Sequence, residues 1–135
     1  MDETLRRSLI REHRSLDELF GRFLAAASAG DPEAALEAIG LFDDELRRHT
    51  ASEEDSVLPA PEGRRLVPDA EAGDASRLHR ELRLEHVQVR ELAAMIRRLL
   101  EQKRDLEGAR RLAPNLARRW DAHTAREERE LLAPD

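Results

Sequence analysis

The chain has 135 residues, enough for one domain with a buried core, and it contains no Cys, which excludes disulfides and thiolate metal sites. Its 23 basic and 29 acidic residues give a formal net charge of −6, which argues against a nucleic-acid or anionic-membrane partner. No apolar run approaches the roughly 20 residues that span a bilayer, and the first residues lack the apolar stretch of a signal peptide. We therefore expect a soluble cytoplasmic protein.

The first half of the chain predicts two helices, at about residues 4–28 and 32–57. In each, apolar residues recur three or four positions apart, as in a helix with one buried face. Gly30 separates the two helices, Asp31 suits the cap of the second, and Pro32 suits its first turn. The predicted buried stripes are Leu9, His13, Leu16, Phe20, Phe23 and Ala27 in the first helix, and Ala35, Ile39, Phe42, Leu46, His49, Glu53 and Val57 in the second.

Residues 59–75 contain Pro and Gly without helical periodicity, so they predict a long crossover loop. Two further helices follow, at about 76–104 and 106–132, and Asp105 suits the cap of the last. Because Pro114 lies inside that helix, we expect a kink there or a late start. The predicted buried stripes are Leu82, His86, Val89, Ala93, Ile96 and Leu100, and then Ala109, Ala113, Leu116, Trp120, His123, Glu127 and Leu131.

The two halves of the chain repeat one helical hairpin. The hexapeptide HTASEE from His49 recurs as HTAREE from His123, 74 residues later, and His13 recurs as His86 after 73 residues. No segment alternates with period two, so no strands are expected. Two hairpins joined by a crossover predict an all-α fold, a single antiparallel up-down-up-down four-helix bundle over residues 1–135. Counted from the hairpin turns, the four histidines lie at one level of the bundle.

Four histidines and two glutamates on the buried stripes form a candidate metal site. His49 precedes Glu53 by four residues and His123 precedes Glu127 by four, so each pair lies on one helix face. A buried carboxylate without a counter-charge costs several kcal/mol, and the stripes carry no Arg or Lys. Without a shared cation, one carboxylate would have to hold a proton. The candidate ligands are His13, His49, Glu53, His86, His123 and Glu127.

The donor set also indicates how many ions the site could hold. Two glutamates can bridge two ions about 3.5–4 Å apart, and two histidines on each ion complete four protein ligands. An oxo, hydroxo or water bridge would be a fifth ligand, which leaves an open position on each ion for O₂, NO or peroxide. The donors alone admit Fe, Mn, Zn or Cu. The ferritin-like di-iron class is disfavoured because its Glu-x-x-His motif has the opposite order and a shorter spacing.

In chain order the candidate ligands read His, His-x-x-x-Glu, His, His-x-x-x-Glu. This pattern resembles the hemerythrin-like family of HHE cation-binding domains over essentially the whole chain. The resemblance implies a non-heme centre of two iron ions with an oxo or hydroxo bridge, in which Glu53 and Glu127 also bridge. It assigns the histidines in pairs, His13 with His49 to one iron and His86 with His123 to the other.

The chain departs from the oxygen-carrying hemerythrins at one position. Those proteins have a further histidine one helical turn from the third-helix ligand, where this chain has Leu82 on one side and Arg90 on the other. Both ions then keep an open position. We therefore expect the reduced protein to react with O₂ or peroxide and become oxidised, without a long-lived reversible oxygen adduct.

Three functions remain open at this stage. The first is a di-iron protein that binds or senses a small ligand such as O₂, NO or peroxide. The second is a di-iron redox enzyme that acts on peroxide or another small oxidant. The third is a structural or Zn-binding bundle. The sequence does not decide whether the protein is an enzyme, and it predicts no particular protein partner.

Several other polar residues repeat or lie near the candidate ligands. His79 extends the third-helix stripe but is about 10 Å along the axis from His86, so we expect it to be structural or to line an entrance. Paired arginines are expected on solvated helix faces. Four glutamates next to the ligands lie about 100° off the ligand face and are expected at the surface or behind the ligands: Glu12, Glu54, Glu85 and Glu128.

Overall fold

The computed structural model describes residues 1–58 and 73–134. In these residues the chain is entirely α-helical, without strands, as predicted. None of the described helices combines the length and the apolar character that crossing a membrane would require. Residues 59–72 of the predicted crossover loop lie outside the described residues, and the third helix begins at Asp74, two residues before the predicted start. The helices are α1 Glu3–Ser28, α2 Pro32–Ser56, α3 Asp74–Lys103 and α4 Leu106–Glu130.

Side-chain caps determine where two of the helices begin. Asp31 and Asp105 accept hydrogen bonds from the backbone N–H groups of Ala34 and Gly108, at 3.0 and 2.8 Å, which confirms both predicted caps. Because the Asp105 cap fixes the start of α4, this helix continues through Pro114, and the predicted late start is wrong.

The observed buried stripes agree with the predicted ones except at two helix ends. Val57 and Leu131 were expected in the stripes but are only half-buried, whereas Leu58 and Leu132 are fully buried. Both helices end one residue before the half-buried position, so the residues that follow no longer keep the helical periodicity. The predicted stripes of α1 and α3 are buried at every position.

Each helix packs against two others: α1 and α3 both contact α2 and α4. Aromatic residues occupy the middle of the main core, where the Phe42 ring centroid lies 5.4 Å from Phe20 and 5.8 Å from Trp120. Burying a side chain of this size contributes about 1.5–3 kcal/mol, whereas isolated helices are marginal in water. Packing of the apolar faces therefore holds the four helices in place.

One buried ion pair in the core was not expected from the sequence. The carboxylate of Asp43 is fully buried and contacts the guanidinium groups of Arg97 at 3.0 Å and Arg47 at 3.3 Å. Arg97 also contacts Asp44 at 2.8 Å and lies 3.7 Å from where a Cβ at Gly40 would stand. Helical periodicity placed Arg97 on a solvated face, because periodicity does not report how far a long side chain reaches across to a neighbouring helix.

Candidate metal centre

All six candidate ligands converge inside the bundle. Each lies on the buried stripe of its helix, and none is more than 2% exposed. α1 and α3 each contribute one histidine, and α2 and α4 each contribute a histidine and a glutamate four residues later. The residues brought together are His13, His49, Glu53, His86, His123 and Glu127.

These six side chains form two overlapping groups of four. The first contains His13 and His49, the second His86 and His123, and both contain Glu53 and Glu127. Within each group the donor atoms all lie within 4.8 Å of one another. The two glutamates are therefore shared between two adjacent positions, which is the grouping that the resemblance implies.

The distances between donor atoms suit cations held between them. Within one helix, His49 Nε2 lies 3.0 Å from Glu53 Oε1, and His123 Nε2 lies 3.0 Å from Glu127 Oε2. Between helices, His13 Nε2 lies 2.9 Å from Glu127 Oε1. Two donors that each lie about 2.1 Å from one ion, at right angles, are about 3.0 Å apart.

Unpaired polar atoms provide an independent test of whether a metal fits. Among the described residues, four buried side-chain atoms lack a hydrogen-bond partner: Nε2 of His49, Nε2 of His123 and both carboxylate oxygens of Glu53. An unsatisfied buried polar atom costs about 1–3 kcal/mol. All four belong to the two donor groups, so a cation bound there would satisfy them together.

The second nitrogen of every imidazole is bound by a different glutamate. The Nδ1–H groups of His49 and His123 donate to carboxylates at 2.7 and 2.8 Å, and those of His13 and His86 donate at 2.9 Å. The pairs run once around the bundle, because each helix supplies the acceptor for the next. The acceptors, which we call the glutamate ring, are Glu12 for His49, Glu54 for His86, Glu85 for His123 and Glu128 for His13.

The glutamate ring gives every imidazole the same orientation. Because Nδ1 carries the proton that the glutamate accepts, Nε2 is the atom left for a metal, and in each case Nε2 faces the donor group. Arginines support three members of the ring from outside: Arg126 contacts Glu85 at 2.8 Å, and Arg14 contacts Glu128 at 3.4 Å. Arg83 contacts Glu54 at 3.7 Å.

The carboxylates control the protonation of the imidazoles in the metal-free protein. Burial lowers the pKa of His13, but neighbouring carboxylates, Glu127 first, raise it by more, so it stands at about 10 rather than 6.5. The pKa of His86 is raised in the same way to about 9, and that of His123 is also raised. Burial raises the pKa values of Glu53 and Glu127, but the imidazoles outweigh burial and lower them.

This charge pattern corrects one expectation from the sequence. We expected one of the two shared glutamates to hold a proton when no cation is present. The lowered pKa values of Glu53 and Glu127 instead keep both ionised, and the protons reside on imidazoles. The reason is geometric, since an imidazole nitrogen lies about 3 Å from each carboxylate and accepts the proton more readily.

Trp120 forms one wall of the centre. Its ring centroid lies 5.8 Å from that of His13 and 6.1 Å from that of His123, and its indole N–H donates to Asp17 at 2.8 Å. His79 is half-buried and belongs to neither donor group. Among the described histidines it is therefore the one outside the centre.

The two residues that replace a further imidazole have other surroundings. Leu82 is fully buried, and the Arg90 guanidinium donates to the hydroxyl of Thr50 at 3.3 Å and lies 3.9 Å from Glu54. Neither side chain offers a donor atom to the ions. The described residues thus provide two histidines and two shared carboxylates at each position.

The sequence predicted all six converging residues but not the direction of the glutamate ring. A signal was present, because Glu12 and Glu85 repeat with the same offset as the histidines, as do Glu54 and Glu128. Which imidazole each glutamate binds depends on the contact between two helices, and helical spacing within one helix does not contain that information.

Comparison with known proteins agrees with this geometry. The family model described as hemerythrin HHE cation binding domain matches residues 4–134. No curated protein and no solved structure matches the chain. The family match spans all six converging residues, and both the family and the buried His and Glu groups indicate that the chain binds metal cations.

Proposed function

Because the chain belongs to the hemerythrin HHE cation-binding family, we propose that it is a non-heme di-iron protein that binds or senses a small ligand such as O₂, NO or peroxide. The observation that carries the proposal is the pair of donor groups that share Glu53 and Glu127. Two buried carboxylates shared between two pairs of imidazoles suit two adjacent ions better than one.

The donor set supports iron as the metal, with an oxo or hydroxo bridge and with Zn or Mn as alternatives. Imidazole and carboxylate together suit Fe, and the chain has no Cys to favour softer ions. Iron bound here would supply one-electron redox chemistry and a free coordination position. The protein's own part is to orient the imidazoles through the glutamate ring and to exclude water, since all six donors are buried.

We also propose that the four helices form one antiparallel up-down-up-down domain over the whole chain. Two contacts support this order by joining the start of one helix to the end of a neighbour. Arg6, near the start of α1, donates to the carbonyl of Leu132 just beyond α4 at 3.4 Å. Arg83, near the start of α3, donates to the carbonyl of Leu58 just beyond α2.

Purification with iron available, followed by metal analysis and an absorption spectrum, tests the metal. The proposal expects bound iron and near-ultraviolet and visible absorption in the oxidised protein. A colourless protein that contains Zn would favour the structural alternative and contradict the proposal.

Addition of small ligands to the reduced, iron-loaded protein tests the function. We expect NO to change the spectrum and O₂ to oxidise the protein without a lasting adduct, because Leu82 and Arg90 provide no further imidazole. Repeated turnover of peroxide would instead favour the redox-enzyme alternative. An oxygenated spectrum that disappears under vacuum and returns with air would favour reversible carriage.

A further inference from the structure

Four buried leucines lie apart from the main core. Leu9, Leu58, Leu82 and Leu132 are each at most 1% exposed, yet none of them belongs to the main core cluster. They are also related by the internal repeat, since Leu9 matches Leu82 after 73 residues and Leu58 matches Leu132 after 74. We call these four residues the leucine lid.

The leucine lid lies directly beside the metal centre. Leu9 and Leu82 precede His13 and His86 by four residues, which places them on the same helix face about 6 Å away. The main core begins on the opposite side of these histidines, with Leu16 in α1.

The other two leucines are bonded to the shared glutamates through the backbone. The N–H of Leu58 donates to the carbonyl of Glu53, and the N–H of Leu132 donates to the carbonyl of Glu127, each at 2.8 Å. Each bond turns the chain back just after the helix ends. A leucine from each repeat is thereby placed within one turn of a shared carboxylate.

Arginines fix both of these chain ends. Arg6 donates to the carbonyl of Leu132, and Arg83 donates to the carbonyl of Leu58, each from the neighbouring helix. The backbone groups of both leucines are therefore satisfied, and neither is a frayed helix end.

We propose that the leucine lid selects ligands by charge and hydration, admitting small uncharged molecules such as NO and O₂ and retarding hydrated anions. This inference rests on the proposed function and names the ligand class of the same site. An anion that crosses an apolar layer must give up water without gaining a polar partner, whereas a diatomic gas loses little hydration. The glutamate ring opposes anions on the lateral routes between the helices, because its carboxylates face those routes.

Azide and nitric oxide provide the direct test with iron-loaded protein, using Leu82→Ala and the matched control Leu100→Ala. Both leucines are fully buried on α3, but Leu100 lies about 21 Å along the helix from His86, in the main core. We expect Leu82→Ala to raise the azide binding rate about tenfold or more, the factor that 1.4 kcal/mol produces. The NO rate should change by less than about threefold, and Leu100→Ala should leave both rates near the wild-type values. Leu9→Ala, from the other repeat, should behave like Leu82→Ala and serves if the first variant fails to fold. Equal azide rates in the wild type and the lid variants would overturn the proposal, as would an equal effect of Leu100→Ala.

Fluorescence of the metal-free protein supplies a readout that does not need iron. Trp120 is the single tryptophan and lies against His13 and His123, so a quencher that enters the centre reaches it. Dissolved oxygen should quench the wild type and iodide should not, and Leu82→Ala should add iodide quenching while Leu100→Ala does not. If the wild type binds no metal but shows this pattern, the proposed function fails and the lid stands. If iron binds but iodide quenches the wild type and Leu82→Ala equally, the lid fails and the proposed function stands.

Discussion

The imidazole nitrogens are the smallest unit from which the centre is built. Each histidine offers Nε2 to the centre and gives Nδ1–H to a glutamate from the preceding helix around the bundle. A histidine held at both nitrogens loses its rotational freedom and its choice of tautomer. The glutamate ring therefore organises the donors before any metal arrives.

Replacement of one ring glutamate should weaken metal binding without removing a ligand. In Glu12→Gln the amide at position 12 no longer offers the carboxylate that accepts the His49 Nδ1–H. We expect the metal dissociation constant to rise about 10–100-fold, the usual effect of losing such a partner. Competition with a chelator of known affinity measures the change.

The surface variant Glu91→Gln is the matched control, because Glu91 is an exposed glutamate on α3. It should leave the dissociation constant at the wild-type value. If Glu12→Gln and Glu91→Gln bind metal equally, the ring does not position the ligands.

The helix hairpins place these residues at one level, and their turns depend on local backbone geometry. Gly30 follows α1 with a φ of +74°, in the left-handed region that favours glycine. Gly21 lies inside α1, and a Cβ added there would meet no atom within 4 Å. The same substitution should therefore have opposite effects at the two positions.

We expect Gly30→Ala to lower the free energy of unfolding by about 1 kcal/mol, because alanine is strained at positive φ. Gly21→Ala should raise it by about 0.5–1 kcal/mol, since alanine restricts the unfolded chain and favours the helix. Chemical denaturation of both variants measures the two changes. Equal signs would show that the backbone at Gly30 is not held in the left-handed region.

The periodicity of the chain was sufficient to predict the helices and the six converging side chains, but not their ends or their cross-helix partners. His13 and Glu53 could be predicted because each continues an apolar stripe, and a buried polar residue on such a stripe needs a partner. Leu58 was missed in favour of Val57 because the helical repeat was extended past the point where the helix ends. Arg97 was missed because its partner lies on another helix.

At the scale of the whole molecule, the centre links stability to pH and to metal. The pKa values of His13 and His86 in the folded, metal-free protein, about 10 and 9, lie above the ordinary 6.5. Their contribution to stability is therefore fully present below pH 6.5 and is lost as the pH rises through 9 and 10. Glu53 and Glu127, whose pKa values are lowered from 4.5, contribute above that pH and lose the contribution as the pH falls.

The metal-free protein should accordingly melt at a higher temperature near pH 6 than near pH 9.5. Metal must displace the imidazole protons, so the increase in melting temperature on adding metal should be larger at the higher pH. Thermal melts of chelated and metal-loaded protein at both pH values measure this difference. His79→Ala should reproduce the wild-type profile, because His79 lies outside both donor groups. A metal-free protein that melts at the same temperature at both pH values would contradict the burial of the imidazoles beside the carboxylates.

The most direct test of the account is the number of ions bound per chain in a set of single variants. The account predicts two ions in the wild type and two in His79→Ala, about one in His49→Ala, which removes a donor from one group only, and loss from both positions in Glu53→Ala, since Glu53 belongs to both groups. Metal analysis after removal of unbound ions gives these numbers. A single ion in the wild type, or two ions retained in both Glu53→Ala and Glu127→Ala, would contradict a centre in which these two glutamates are shared between adjacent metals.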